Sequence, residues 1–323
     1  MRPLPAVPGQ MGVFTAGQAL SVGWTRPSLT RARQRGDIVR LRHGHYCHAA
    51  GLDFSVEGRR RVAVAAAAAV VLAVDNAVAS HRSAAVLAEL PVLSLPRRPC
   101  LTMPAGTTGT TAGAHLHRAH LPPELVMHRG AVARTDAART IVDIARESGV
   151  EEALVVADAA LRRGLVTQER LAVEIAAHRG VPGIATARAL SALADGRSES
   201  PLETVSRLRL ERAGVAAADL QTTLTDLRGA FLARTDFYWD EYGVVGEADG
   251  LAKYGMFASV VEEKLRQERL ENCGLIVVRW GWSALTDMDQ LAGRLRAAFD
   301  RGRHRSSLRQ WHVDGRRHGV VAA

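Results

Sequence analysis

The sequence predicts a multidomain protein of the α+β or α/β class, with small mixed regions at both ends and a helical region between them. Helix caps and turn residues divide the chain into short segments, and the apolar spacing changes from a helical period to strand-like alternation in the last third. A length of 323 residues is enough for two or three domains. We place the boundaries at residues 1–50, 51–196 and 197–300, followed by a basic tail at residues 301–323.

The charge balance favours a polyanionic partner. The chain has 42 Lys and Arg against 33 Asp and Glu, which gives a formal net charge of +9, and its pI is about 10.4. Such an excess of positive charge suits nucleic acid, although it also serves solubility alone.

The cysteine and hydropathy patterns are typical of a cytoplasmic protein. Cys47, Cys100 and Cys273 are odd in number and far apart, without metal-ligand spacing or a disulfide framework. The N-terminus lacks the basic-then-apolar layout of a signal peptide. The longest apolar run, residues 62–74, is too short to cross a bilayer. We therefore expect a soluble, cytoplasmic protein with no membrane segment.

Residues 12–48 are predicted to form two short helices followed by a β-hairpin. Threonine N-caps open the helices and glycines end them, at Thr15 and Gly23 for the first and at Thr25 and Gly36 for the second. Apolar residues within 38–42 and 45–47 flank a two-residue turn. Two helices followed by a hairpin are typical of a winged helix-turn-helix.

A basic surface is predicted on this winged helix. In that fold the second helix enters the major groove and the hairpin lies on the DNA backbone. Six arginines lie between Trp24 and His48, and only Asp37 opposes them. We predict DNA contacts from one helix face and from one side of the first hairpin strand, through Arg26, Ser28, Arg31, Arg35, Arg40 and Arg42. The alternative is an interaction domain with a solvated basic face.

Three short stretches in this region carry a family resemblance. They are Gly-Val-Phe-Thr at residues 12–15, Gly-Asp-Ile-Val-Arg at 36–40 and Gly-His-Tyr at 44–46. The region resembles the N-terminal domain of the antitoxin of the type IV abortive-infection (AbiE) toxin–antitoxin system. The resemblance implies a transcriptional regulator that binds DNA, often at its own promoter, and a cognate toxin of the nucleotidyltransferase type as partner.

The residues of the middle region assign it no chemistry. We predict an alanine-rich helix, a second helix near residues 80–90, strands near residues 100–103 and 115–120, and helices throughout 135–196. Four histidines lie close together in the sequence: His115, His117, His120 and His128. No cysteine or acid is spaced with them to complete a metal site, so the sequence favours surface histidines.

The last third is predicted to fold in the order α-β-β-β-α-β-α. The predicted elements are a helix from Ser200, strands near 220–224, 230–239 and 244–249, a helix at 258–272, a strand at 275–280 and a helix at 284–299. Glu247 and Asp249 are two apart in a strand and share one face, and hairpin pairing places Asp236 across from that face. Crowded carboxylates need a cation, and hard oxygen ligands suit Mg²⁺ or Mn²⁺. These three acids are therefore a predicted metal site.

The only two lysines of the chain follow these acids. Of the 42 basic residues, 42 − 2 leaves 40 arginines, so Lys253 and Lys264 stand out. A lysine near carboxylates can orient or deprotonate a water, or stabilise a leaving oxyanion, which the fixed guanidinium of arginine does less well. We predict catalytic roles for Asp236, Glu247, Asp249, Lys253, Lys264 and Glu203. Glu203 also fits a capping box with Ser200.

Several spaced motifs in this region carry a second resemblance. They are Thr-Asp-Phe at 235–237, Gly-Glu-Ala-Asp-Gly at 246–250, Lys-Tyr at 253–254, Glu-Lys-Leu-Arg at 263–266, Arg269 and Val-Val-Arg-Trp at 277–280. Over about residues 200–290 the chain resembles the Vsr-like (very-short-patch-repair-like) endonuclease-related domain of the PD-(D/E)XK superfamily. The resemblance implies a restriction-endonuclease-like α-β-β-β-α-β core and Mg²⁺-dependent hydrolysis of phosphodiesters.

The sequence departs from the superfamily pattern at one position. The pattern places a lysine two residues after the strand acid, where this chain has Asp249. Lys253 or Lys264 would then supply the ammonium from a neighbouring element. Arg266 and Arg269 fit either phosphate contacts or surface salt bridges.

Two interpretations of function remain. The first is a DNA-binding protein with an Mg²⁺-dependent endonuclease-like domain. The alternative is a non-catalytic transcriptional regulator or antitoxin, whose C-terminal fold only binds DNA or a protein partner. Both share DNA binding in the cytoplasm.

Overall fold

The chain folds into two compact units. The computed structural model of the protein describes residues 5, 7–104, 113–249, 257–304 and 310–313, and for residues 257–264 it describes the backbone alone. The units are Met1–Ala194 and Asp195–Ala323. Three separate sheets and the helices around them occur in the described residues. This agrees with the predicted multidomain α+β or α/β class, while the finer division into four parts stays a prediction.

The first unit begins with the predicted helices and hairpin. Its elements are β1 (Val13–Thr15), α1 (Ala16–Ser21), α2 (Arg26–Arg35), β2 (Ile38–Arg42) and β3 (His45–His48). β3 lies between β1 and β2 and is antiparallel to both. Thr15 and Thr25 form capping boxes at the helix starts. Gly36 ends α2 with a φ of 79°, a left-handed conformation that favours glycine.

An apolar core holds α2 against this sheet. Phe14 is fully buried and stacks on Tyr46 with ring centroids 5.8 Å apart. Trp24, Leu29 and Ile38 pack into the same cluster. Burial of each such side chain is worth about 1.5–3 kcal/mol. The core therefore fixes the orientation of α2 through one side of the helix.

The cap of α2 makes a measurable contribution to stability. Ser28 N donates to Thr25 Oγ1 at 3.2 Å, and Thr25 N donates to Ser28 Oγ at 2.8 Å. Thr25→Ala removes the acceptor for Ser28 N and is expected to lower the free energy of unfolding by about 1 kcal/mol. Thermal denaturation measures the loss, and Thr25→Ser should stay close to wild type. Equal melting midpoints for Thr25→Ala and wild type would contradict this role.

A five-stranded sheet follows within the first unit. Its region comprises α3 (Val56–Val71), β4 (Val78–Ala79), α4 (His81–Leu87), β5 (Cys100–Met103), β6 (His115–Arg118), β7 (Val126–Arg129) and β8 (Val132–Thr135). The strand order is β6-β5-β4-β8-β7. The buried alanines of α3 pack with residues from this sheet and with Val13 of β1 and Cys47 of β3. The sequence predicted β5 and β6 but missed β4, β7 and β8, because such short strands show little periodicity.

Four helices complete the first unit. They are α5 (Ala137–Ser148), α6 (Val150–Arg162), α7 (Gln168–Ala177) and α8 (Ile184–Leu193). Asp136 caps α5, and its Oδ1 accepts from Arg139 N at 2.7 Å. Inside α5, Arg139 Nε donates to Asp143 Oδ1 at 2.9 Å, and both side chains are buried. This largely buried helix thus contains an ion pair.

The second unit has its elements in the predicted order, with one strand added. They are α9 (Pro201–Arg212), β9 (Asp219–Asp226), β10 (Phe231–Trp239), β11 (Val244–Ala248), α10 (Phe257–Asn272), β12 (Ile276–Trp280), α11 (Met288–His304) and β13 (Trp311–Val313). The sheet order is β12-β11-β10-β9-β13. β10 is antiparallel to β9 and β11, whereas β11 and β12 are parallel and joined through α10. The final helix starts later than predicted because residues Trp282–Thr286 form a 3-10 turn.

The last strand lies within residues 301–323, the range predicted to be a basic tail. α11 continues into that range to His304, and β13 pairs with β9 at the edge of the sheet. Trp311 is 3% exposed, and its Nε1 donates to Tyr238 Oη at 2.7 Å. Burial of Trp311 holds this short strand on the sheet, although the surrounding sequence is basic.

None of the described helices combines the length and the apolar composition needed to cross a membrane.

Candidate functional site

The outer side of α2 carries the predicted basic surface. Arg26, Arg31 and Arg35 are exposed, and Arg31 and Arg35 are four residues apart and share a helix face. Nε and Nη2 of Arg35 lie 2.9 and 2.7 Å from Oδ2 of Asp37. A surface ion pair of this kind contributes little free energy. Arg35 can therefore exchange the carboxylate for a phosphate at small cost.

Ser28 takes part in the helix cap. Its hydroxyl donates to Thr25 O at 2.8 Å and accepts from Thr25 N at 2.8 Å. The side chain is half-buried. The predicted DNA contact by this hydroxyl stays a prediction.

The hairpin separates the two arginines that were expected to share one side. Arg40 pairs with Tyr46 and Arg42 pairs with His45, so Leu41 is an extra residue in the register. Because consecutive residues of β3 face opposite sides, their partners Arg40 and Arg42 do so too. The expectation of a shared side is therefore wrong. Arg40 is exposed and Arg42 is half-buried, which makes Arg40 the better placed for DNA.

In the second unit, one amide bridges two of the predicted acids. Asp236 lies on β10 across from Gln221 on β9, between paired positions of the two strands. Gln221 Nε2 donates to Glu203 Oε2 at 2.9 Å and lies 3.5 Å from Asp236 Oδ1. Asp236 Oδ2 accepts from Ala248 N at 2.9 Å. Three elements, α9, β9 and β10, thus bring Glu203, Gln221 and Asp236 together.

Glu203 acts in the helix cap as well as in this cluster. Glu199 N and Ser200 Oγ donate to its two carboxylate oxygens, each at 2.7 Å. Burial raises the pKa of the Glu203 carboxyl, and the charge of nearby Asp236 acts in the same direction, against the hydrogen bonds it accepts. Raised carboxyl pKa values are common both at functional sites and in structural networks.

The sequence analysis did not identify Gln221. A glutamine in a strand of mixed polarity carries no chemical signal of its own. Its backbone has a φ of 54°, a left-handed conformation that is rare for a residue with a side chain. Such strain costs about 1–3 kcal/mol and is often retained at functional sites. Only the tertiary structure reveals this position.

Glu247 forms an ion pair with Arg266. Arg266 Nη2 lies 2.6 Å from Glu247 Oε1 and donates to Arg234 O at 3.0 Å. The side chains of Glu247 and Arg266 are 10% and 25% exposed. The sequence predicted either a phosphate contact or a surface salt bridge for Arg266. The structure shows a salt bridge, and that ion pair is largely buried. The guanidinium supplies positive charge where the predicted metal ion would supply it.

The structure describes the remaining predicted site residues only in part. Asp249 follows β11, and its N–H donates to Trp280 O at 2.8 Å. Arg269 is exposed on α10. Lys264 also lies on α10, but its side chain is outside the described part of the chain, as is the whole of Lys253.

The three acids predicted to bind metal do not form a tight ligand group. Among the described residues, the groups of three or more potential ligands with atoms within 4.8 Å of one another do not include Asp236, Glu247 and Asp249. The assignment of a metal to these acids stays a prediction.

The ion pair between Glu247 and Arg266 gives a stability prediction. Arg266→Ala is expected to lower the free energy of unfolding of the second unit by about 1–3 kcal/mol, because Glu247 loses its guanidinium while it stays buried. Chemical denaturation followed by tryptophan fluorescence measures the loss. The Glu247→Gln/Arg266→Ala double variant is the control and should recover part of it. If the single variant is as stable as wild type, the pair contributes nothing.

A comparison with protein families agrees with the architecture of the N-terminal region. The family described as "Transcriptional regulator, AbiEi antitoxin" matches residues 1–48. The match ends at the last residue of β3 and covers both helices and the hairpin. The N-terminal part of this chain is therefore similar to AbiEi antitoxin domains.

Two curated relatives from Mycobacterium tuberculosis are similar over a longer range. They are the uncharacterized protein MT2308 of strain CDC 1551 / Oshkosh and the uncharacterized protein Rv2248 of strain ATCC 25618 / H37Rv. Each is 30% identical over 174 residues, which is 54% of this chain and 63% of the relative. The chain thus spans less than two thirds of the length of these relatives.

Proposed function

We propose that this protein is a DNA-binding transcriptional regulator of the AbiEi antitoxin type. The observation that carries the proposal is the match of residues 1–48 to that family. The exposed arginines of α2 and the net charge of +9 support it.

In this proposal α2 is the recognition helix. Trp24 and Leu29 anchor it in the core, and Arg31 and Arg35 project from its exposed side into the major groove. There, arginine binds guanine edges with two hydrogen bonds or contacts phosphates. Arg40 on the wing contacts the adjacent backbone.

The second partner in this proposal is a protein. An antitoxin of this type has a cognate toxin of the nucleotidyltransferase type, encoded close by. Co-expression with the neighbouring toxin gene should relieve growth inhibition by that toxin. If the toxin still inhibits growth while this protein is present and folded, the proposed function would be reduced to DNA binding.

Fluorescence anisotropy with promoter DNA tests the regulator function. The full-length protein should bind a duplex from its own promoter at least about 10³-fold more tightly than a scrambled duplex of the same composition. Affinity for both duplexes should fall as salt rises. Equal affinity for the two at every salt concentration would leave only non-specific binding and refute a regulator.

A second candidate function is Mg²⁺-dependent DNA cleavage by the second unit. The observation that favours it is the meeting of Glu203 on α9 with Gln221 and Asp236 on the adjacent strands, in a unit with the predicted order of elements. Asp236, Glu247 and Asp249 are the residues that would hold the ion, which polarises a phosphodiester when bound. The fit is incomplete because Arg266 already neutralises Glu247.

A plasmid assay separates the two candidates. Supercoiled and single-stranded DNA are incubated with Mg²⁺ or Mn²⁺ and with wild type, Asp236→Ala or Lys253→Ala. A nuclease should nick the DNA in a metal-dependent way, and both variants should lose the activity. If wild type cleaves no DNA with either metal, the nuclease candidate fails. The regulator proposal then stands, because promoter binding does not depend on nuclease activity.

A further inference from the structure

Three imidazoles surround a carboxylate in the first unit, on elements other than α2 and the hairpin. Glu147 lies in the last turn of α5, His81 starts α4, and His115 and His117 are on β6. Glu147 Oε2 is 3.2 Å from His81 Nε2 and 3.5 Å from His117 Nε2. Glu147 Oε1 is 3.5 Å from His115 Nδ1. Four side chains from three elements therefore meet at one point.

The two inner imidazoles are enclosed by the protein. The side chains of His81 and His117 are 9% and 22% exposed. Within the described chain, the buried Nε2 of His117 makes no hydrogen bond. His81 Nδ1 contacts Ser80 Oγ at 3.0 Å, which leaves its Nε2 for Glu147. Both inner imidazoles therefore present Nε2 to the Glu147 carboxylate.

The nearby arginines are partly neutralised by another carboxylate. Arg139 Nε and Arg146 Nη1 lie 2.9 and 3.6 Å from Asp143 Oδ1. Asp143 therefore offsets their charge. Glu147 remains the carboxylate that faces the histidines.

The interatomic distances match those around a tetrahedral metal ion. Zinc binds nitrogen and oxygen at about 2.0–2.2 Å, which places neighbouring ligand atoms about 3.3–3.6 Å apart. The distances from Glu147 to His81 and His117 are 3.2 and 3.5 Å. The rings of His81 and His117 are stacked, with centroids 3.7 Å apart and planes at 19°. Because the ring planes are nearly parallel, the two rings have to tilt toward each other for both Nε2 atoms to bind one ion.

We propose that His81, His117 and Glu147 bind a divalent transition metal ion of the zinc class, with His115 beside them. Two imidazoles and one carboxylate are a ligand set that zinc uses in proteins. The bound ion joins the start of α4, the strand β6 and the end of α5. It therefore stabilises the first unit, whichever DNA sequence the winged helix reads.

A second group of potential metal ligands shares His117 with the first. Cys100, His115 and His117 also place one ligand atom each within 4.8 Å of one another. Glu147 is the better placed ligand, because its carboxylate oxygens lie 3.2, 3.5 and 3.5 Å from His81, His115 and His117.

Zinc titration of the chelator-treated full-length protein tests the site. Competition with a chromophoric chelator should show one equivalent of Zn²⁺ bound, and Glu147→Gln and His117→Gln should each weaken binding at least about tenfold. His120→Ala and His128→Ala change exposed histidines outside the cluster, so they should bind as wild type does. Stoichiometric binding that survives in both cluster variants, or no stoichiometric binding by wild type, overturns the proposal.

Two further readouts keep the test independent of misfolding and of DNA binding. Far-UV circular dichroism of the metal-free variants checks their fold, and Glu147→Gln keeps the shape of the side chain. Zn²⁺ should raise the Tm of wild type and leave that of Glu147→Gln unchanged. In the Co²⁺-loaded protein, a thiolate-to-cobalt charge-transfer band would assign the ion to Cys100 and overturn the proposed ligand set, whereas its absence supports it. Either result leaves the regulator proposal intact.

Discussion

The Arg31→Ala/Arg35→Ala double variant is expected to lose about 2–6 kcal/mol of promoter-binding free energy, which is at least about a 30-fold rise in Kd. Both side chains are exposed on one face of α2, and neither lies in the core that holds the helix. The loss is therefore one of DNA contacts, with the fold retained. Fluorescence anisotropy at several salt concentrations measures it.

The salt dependence shows which contacts were lost. The slope of log K against log salt should flatten by about 0.9 for each arginine that contacts a phosphate. Arg33→Ala is the matched control, because Arg33 is exposed on α2 but turned about 200° from Arg31, at 100° per residue. An equal loss in the control and the double variant would show that net charge alone attracts the DNA and that α2 has no recognition face.

Arg139→Met is expected to lower the free energy of unfolding of the first unit by about 3–5 kcal/mol at neutral pH. Arg139 and Asp143 are 5% and 1% exposed, and Asp143 Oδ2 has no hydrogen bond within the described chain. Burial already raises the pKa of the Asp143 carboxyl, despite the opposing effect of Arg139. Without Arg139, this carboxylate stays buried, with Arg146 Nη1 3.6 Å from its Oδ1. Thermal or chemical denaturation measures the loss.

The stability loss caused by Arg139→Met is expected to be smaller at low pH than at neutral pH. A carboxyl whose pKa is raised on folding takes up protons in the native state, so its contribution is favourable below the unfolded pKa and is lost as pH rises through the folded one. The deficit of Arg139→Met should therefore shrink as pH falls toward the ordinary range of an aspartate. The Arg139→Met/Asp143→Leu double variant removes both charges and should recover most of the stability. If it stays as unstable as Arg139→Met, packing of the arginine stem explains the effect.

The sequence predicted the local features of this fold well. The threonine caps and Gly36 bound the N-terminal helices where expected, and the hairpin follows. The order of elements in the second unit was also correct up to α11. These features depend on residues a few positions apart, whose steric and hydrogen-bonding preferences are local.

The features that the sequence did not reveal depend on distant residues. β13 forms because Trp311 reaches Tyr238 across the sheet. Gln221 gains its significance only from Glu203 and Asp236 on other elements. In the sequence, no acid is spaced with the histidines as a metal ligand would be. The fold nevertheless brings Glu147 to His115 and His117.

The pairing of β13 with β9 has a consequence for the order in which the two units form. The first unit is complete within Met1–Ala194, so it can fold on the ribosome while the rest of the chain is still being made. The sheet of the second unit lacks its edge strand until Trp311–Val313 has emerged. Until then β9 presents open backbone groups, and these attract other strands. A pause in synthesis beyond residue 304 would therefore prolong the interval in which this edge of the sheet is open to other strands.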